Sequence, residues 1–547
     1  MKHSLLLLTA LALATPALAQ EATLVYTVRP QDTLIGLGRT LLVNPAAWRE
    51  VARLNGLPDP DYIVAGQSLK MPLRLLRSAD APARIVSVAG QVLLEGQPAL
   101  AGASLLPGQR LNTDAASSAV LQLGDGSQVK LMPNSEVALG EHRRYAIQAA
   151  NPAAAGAPEG LLAGTLRLLR GSLDLLASKV LRAKPLEVTT PTAVIGVRGT
   201  DYRVHHAAEG QTATRTEVLS GRVHAQASEG SRLLASAEVP AGQGAILQPG
   251  QASPRVLALP PAPSLASVPP RFERPLVRFQ VAGETGALRV QVAPDAAFNQ
   301  VLRDETFAPG AEVRLAGLPD GDWHLRARRV DASGLAGADT ATRFTLKARP
   351  EPPAGITPRP RAKAVVGVVP FQWAENTEAA RYHLEVARDA AFQDKVHDAP
   401  ALTGQRGEVT LATPGVYHWR LASVRTDGDQ GPWGDPQSFE LRPLPTPPSG
   451  GLSDDGLSLQ LAWAGRPEDR QQVELSHDPQ FTSVVRSAEL KESRWVLPVP
   501  DAAGSYYFRY RSVEPDGFVT PWSSTLKLDM PRDWRFLWFF APFLLAL

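Results

Sequence analysis

Apolar and polar positions follow a different rhythm in each part of this 547-residue chain. Leu5 to Ala14 is an almost unbroken apolar run behind Lys2 and ahead of Ala17-Leu18-Ala19. Tyr26 and Val28 then alternate with polar neighbours as a short strand, which Pro30 ends. Leu34, Leu37 and Leu41 fall three and four residues apart, one apolar face of a helix that Asp32 and Thr33 can cap. A second helix opens at Asn44-Pro45, buries Trp48, Val51 and Leu54, and stops at Asn55-Gly56. Residues 64–71 return as a strand. From Arg84 to about Pro249 the period is two, in short runs such as Ala119–Leu123 and Gln128–Met132. Gly124-Asp125-Gly126-Ser127 between those two runs predicts a hairpin. Helical spacing reappears there only around Gly160–Leu169.

Tyr26–Leu34 and Ile63–Pro72, with two helical segments ending in Leu54-Asn55-Gly56 between them, resemble the LysM module. The resemblance implies a small βααβ fold that binds N-acetylglucosamine-containing glycans such as peptidoglycan. It also implies a shallow groove between the loop after the first strand and the loop before the last. Asp32, Thr33, Leu34 and Ile35 match one side of that groove, and Gly56, Leu57, Pro58 and Ile63 the other. Gln31 stands where the family usually has Gly, and Gly36 and Gly38 each cost the first helix about 1 kcal/mol.

In the β-rich middle, Leu106–Thr113, Leu121–Ser127 and Thr190–Thr200 resemble the FecR domain, and Val218–Val223 and Pro240–Gly244 continue the pattern. The best-known members of that family sit in the periplasm and signal to an inner-membrane partner and a sigma factor. This chain lacks their cytoplasmic segment and membrane helix, so the resemblance implies a periplasmic β-roll or sandwich without that circuit. Arg198 beside Gly199 reads as an arginine closing a turn, an anion contact being the other use of such a side chain. Ala149 to Gly160 reads as a long loop.

Beyond residue 270 one element recurs: Val290–Phe298, Leu384–Phe392 and Val473–Phe481, with Asp295, Asp389 and Asp478 spaced by 94 and 89 residues. Each copy has an upstream aromatic (Phe279, Trp373, Trp463) and a later aromatic strand beginning at Trp323, Tyr417 or Tyr506. Copies two and three add Pro432-Trp433 and Pro521-Trp522, which copy one lacks. Short strands in units of this length predict β-sandwiches, and they look like bacterial fibronectin type III modules. Recurrence at one position places the aromatics in the core rather than on a carbohydrate platform.

The chain is therefore expected to be a mostly β, multidomain protein. Its parts are a signal peptide (1–19), LysM (24–73), a FecR-like domain (84–250), three sandwiches (274–347, 364–442 and 453–529) and an apolar tail (531–547). Pro-rich stretches at 260–275, 350–360 and 443–448 read as semi-extended spacers.

Composition narrows the chemistry. Lys and Arg total 56 against 54 Asp and Glu, a net charge of +2, so no strong field invites nucleic acid. The absence of Cys removes disulfide, thiolate and lipoprotein-anchor chemistry. Ten His are scattered without a metal-ligand or nucleophile pattern, and no catalytic residue, metal or cofactor is expected. His205 and His206 point to opposite faces if extended, and Asp427-Gly428-Asp429 lacks the other oxygens a calcium ion needs. From Phe536 the last 12 residues are apolar, and as a helix they reach about 18 Å, short of a bilayer core. The expected function is non-catalytic: an envelope protein held to peptidoglycan that presents modules to an unknown envelope protein, with peripheral membrane contact through the tail. The alternative is a periplasmic sensor acting through the FecR-like domain on a membrane regulator, and a wall hydrolase is a further, less favoured reading.

Overall fold

A computed structural model describes residues 22–59, 62–147, 160–197, 199–207, 213–230, 232–283 and 286–530. The expectations for residues 1–19, the loop at 149–159, Arg198 and 531–547 lie outside them. The chain divides into two compact units, Met1–Leu346 and Lys347–Leu547. No helix among the described residues is long and apolar enough to cross a membrane.

The first unit opens with an antiparallel pair, Thr23–Thr27 against Ser68–Pro72, in the register Tyr26↔Leu69. Thr33 caps the helix Leu34–Leu41 by accepting from the Gly36 amide at 3.0 Å. A 3-10 turn at Pro45–Ala47 leads into the helix Trp48–Leu54. Leu24, Tyr26, Leu34, Leu37, Val51, Leu69 and Met71 form the core. Leu54 is 45% exposed rather than part of the buried stripe, because the helix ends there. Gly38 has a packing reason: a Cβ on it would lie 2.6 Å from the Pro45 carbonyl oxygen and 3.2 Å from the Trp48 Cβ. The same core continues into Tyr145, Ile147 and Leu161 of the next module.

That next module is two packed sheets sharing one 16-residue strand, Leu161–Leu176. Its first half pairs antiparallel with Glu136–Tyr145 and parallel with Leu186–Thr190. Its second half pairs in the other sheet with Gln128–Leu131 and Asp201–His206. Gly171 is the crossover point: its φ is +87°, and a Cβ would lie 2.1 Å from the Ser135 hydroxyl oxygen. The helical spacing read at 160–169 is thus a strand, with Leu162, Gly164, Leu166 and Leu168 facing inward at period two. The predicted hairpin is present between Ser118–Gln122 and Gln128–Leu131. Asp125 in its turn is buried in a 2.6 Å ion pair with Arg182. The second sheet extends through Arg255–Ala258, beyond residue 250.

Three sandwiches follow, one in the first unit and two in the second. In the second copy Gly355–Thr357, Gly367–Trp373 and Arg406–Leu411 form one sheet, as do Ser449–Leu452, Ser458–Ala462 and Arg494–Pro498 in the third. The other sheet of that copy is Val484–Leu490, Arg470–Ser476, Gly504–Val513 and Leu526–Met530. This is the fibronectin III-like arrangement expected from the repeats. Phe279, Trp373 and Trp463 are buried. Phe298, Phe392 and Phe481 are buried at φ of +54°, +58° and +59°. Asp295, Asp389 and Asp478 hold those turns by accepting amides of the following loop, as in Asp389 from Ala391 at 2.9 Å.

The Pro-rich stretches are built into modules rather than free. Arg329 donates to the Pro261 and Ala262 carbonyls, Thr340 to Pro263, and Leu265 is buried. Gly355–Thr357 pairs with Gln372–Trp373, and the Tyr510 hydroxyl donates to the Thr446 carbonyl. Proline lacks a donor but keeps its acceptor, so an extended Pro-rich segment can still be pinned through its carbonyls. Glu514 gathers Lys363 and Arg442 at 2.7 and 2.9 Å, tying the second sandwich to the third.

Candidate functional site

The groove implied for the βααβ module lies between two loops, and the structure sorts their residues by role. Asp32 is occupied within its own turn: its carboxylate accepts from the Tyr26 hydroxyl and the Arg29 amide, both at 2.7 Å. Burial and this bond to Asp32 push the Tyr26 phenol up to about 12. Thr33 is the helix cap. Leu34 is 2% exposed and belongs to the core, so its side chain does not line a groove. A residue at the first helical position turns its side chain back under the helix, and here that direction is inward. Ile35, the next residue, is 40% exposed.

Across from it, Gly56 is exposed at a φ of +59° with open space around it. Leu57 and Ile63 are half-buried and pack on the cluster that holds Leu34, so both loops close over one core. Pro58 is exposed. Tyr62, 72% exposed, and Val64, 52% exposed, were not picked out from the sequence. Their signal is an aromatic and a β-branched residue in a loop, outside either helical stripe. The exposed apolar groups of the two loops are Ile35, Pro58, Tyr62 and Val64, and the charged Arg29 and Asp59 are exposed beside them. Apolar groups of this kind suit the C–H faces of a sugar, with polar groups of the loops left to meet hydroxyls.

Metal chemistry fits poorly elsewhere. His383, Glu385 and Asp398 place ligand atoms within 4.8 Å of one another. Lys395 bonds both carboxylates and Arg420 bonds Glu385 at 2.7 Å, so two cations already neutralise the cluster. Asp429 gives both oxygens to Lys347 at 2.8 Å. His205 meets the Ser172 hydroxyl at 2.7 Å and His206 meets Thr214 at 3.1 Å.

Residues 26–72 match the family model of the LysM domain, and residues 109–224 match that of the FecR protein. No curated protein matches the chain. Among solved structures, a candidate anti-sigma factor from Parabacteroides distasonis is similar at 13% identity, over 27% of this chain and 59% of that one, with a TM-score of 0.20. The chain thus spans 59% of the length of that structure. The FN1–FN3 domains of chicken CNTN1 are similar at 12% identity, over 50% of this chain and 99% of theirs, at a TM-score of 0.20. The fibronectin(III)-like modules of Clostridium thermocellum CbhA are similar at 11% identity, over 32% and 93%, at a TM-score of 0.21. At such scores none of the three bears on function.

Proposed function

We propose that this is a non-catalytic cell-envelope protein that binds the N-acetylglucosamine-containing glycan of peptidoglycan through residues 24–73. The FecR-like module and the sandwiches act as a scaffold presented to an envelope protein. The LysM match over residues 26–72 carries the reading, and the exposed apolar groups Ile35, Pro58, Tyr62 and Val64 support it. LysM and FecR domains are both non-catalytic kinds of module. Of the eight groove positions expected, we retain Ile35, Gly56, Leu57, Pro58 and Ile63 as the surface and add Tyr62; Asp32 and Thr33 shape the loop. Titration of the full chain with N-acetylglucosamine oligomers is the test. Saturable binding that shifts the Tyr62 signals is expected, and no binding at millimolar oligomer overturns the reading.

Residues 1–19 serve as the leader to the periplasm, so the mature chain begins at Gln20, which an intact-mass measurement of the envelope fraction checks. Residues 531–547 make peripheral membrane contact: the full chain floats with liposomes and a chain lacking them does not. The FecR match over residues 109–224 favours a second reading, a signalling module acting on a membrane regulator. It predicts that surface variants in that region change a transcriptional response without changing wall binding.

A further inference from the structure

The first sandwich differs from its siblings on one face. In the second copy Arg420 lies between Phe392 and Trp433, 4.0 and 4.4 Å from their ring centroids, and bonds Glu385 at 2.7 Å. In the third, Arg509 lies between Phe481 and Trp522 at 3.9 and 4.3 Å and bonds Glu474 at 2.6 Å. Cross-strand partners align the copies: Gln291↔Arg326, Glu385↔Arg420 and Glu474↔Arg509. The bridges Val330↔Ala336, Val424↔Gln430 and Val513↔Val519 fix the following loop. Gln291 therefore stands in for the glutamate, and Asp339 for the tryptophan.

Those two exchanges leave Arg326 with one ring, Phe298 at 4.6 Å, and no carboxylate of its own strand pair. Its guanidinium lies 3.8 Å from Asp339 and makes its shorter pair with Asp174 of the FecR-like module, at 3.1 Å. Asp339 accepts from Arg203 of the FecR-like sheet at 2.5 Å, and Arg203 also donates to the Gly337 carbonyl at 2.8 Å. Backbone contacts flank the pairs: the Val301 amide donates to Ser118 Oγ at 2.9 Å and the Ala336 amide to Glu217 at 3.2 Å. Two apolar plugs complete the contact, Leu335 on Ala213 and Ile246, and Met132 on Ala293, Phe298 and Val301. Burial opposes ionisation of Asp174, but Arg326, Arg328 and Arg203 outweigh it and hold the carboxyl at about 2.

We propose that the first sandwich is a built-in partner of the FecR-like sheet, not a spacer. The two form one functional domain, and the sandwich occupies the face carrying Asp174, Arg203 and Glu217, leaving only a cleft at its edge. Charges placed this way specify a partner, since each is costly once its mate is removed. An envelope protein that engages the FecR-like module must then use another surface.

The test is Gln291→Glu with Asp339→Trp in the full chain, which returns to Arg326 both partners its counterparts have. At least tenfold faster hydrogen exchange at the Val301 and Ala336 amides is expected, with protection of Val188 and Leu384 unchanged. Unchanged exchange at Val301 and Ala336 overturns the proposal. Because that variant can misfold, a thermal cycle of Asp174→Asn and Arg326→Gln runs beside it. Non-additive shifts support the docked pair, and additive shifts overturn it.

Discussion

Asp339 and Trp433 hold the same place in successive sandwiches, and only Asp339 reaches a second module. Trp433 closes over Arg420 within its own module, whereas Asp339 pairs with Arg326 and Arg328 of its module at 3.8 and 3.6 Å and bonds Arg203 of a different one at 2.5 Å. The repeat thus tolerates two uses of one position, an internal cation–π contact or a carboxylate shared between its own arginines and one of the neighbouring module.

Trp433→Ala is expected to destabilise the second sandwich by about 1–2 kcal/mol, from the lost ring contact and its buried area. Arg420 keeps Phe392 and Glu385, so the module still folds. Differential scanning calorimetry of the full chain reads the shift in the corresponding transition. A loss above about 4 kcal/mol points to a larger role for Trp433 than one side of a sandwiched arginine.

Two substitutions in the LysM module test backbone geometry against helix propensity. Gln31 sits at a φ of +74°, a region costly to residues with a Cβ, so Gln31→Gly is expected to stabilise by about 1 kcal/mol. Gly38→Ala improves propensity by about 1 kcal/mol, yet its Cβ meets the Pro45 carbonyl oxygen, so it is expected to destabilise. Thermal melts of the full chain followed by signals from residues 24–73 check both signs.

Stability is expected to fall on mild acidification. Burial, reinforced by Arg289 and Arg215, holds the His205 imidazole down at about 4 from an ordinary 6.5. His205 therefore stays neutral in the fold while the unfolded chain takes up a proton. The contribution is whole above about pH 6.5 and is lost as pH falls towards 4, on the order of 3 kcal/mol at most. Burial lowers His142 and His206 in the same direction. Asp174 acts lower, its stabilisation lost as pH falls from about 4 to about 2. Melting temperatures from pH 7 to 4 should slope less in His205→Gln, and an identical slope counts against the assignment.

Period and punctuation made much of the fold legible. The Asp-to-Phe repeat named three equivalent turns, and Asp125-Gly126 named the hairpin, because both depend on local backbone chemistry. In the strand at 161–176, leucines at 162, 166 and 169 also satisfy a helical spacing, and only pairing on both edges decides. A motif gives positions, not side-chain directions, so it groups the buried Leu34 with the exposed Ile35 and passes over the exposed Tyr62. The docking of the first sandwich was invisible because Gln291 and Asp339 look like ordinary surface exchanges until Arg203 and Asp174 stand opposite them.

Sedimentation with purified sacculi tests the central claim most directly. The full chain should pellet, and a full chain carrying Ile35→Asp and Tyr62→Ala should stay in the supernatant with an unchanged melting profile, since both side chains are exposed. Equal pelleting of the two proteins would contradict glycan binding at these loops.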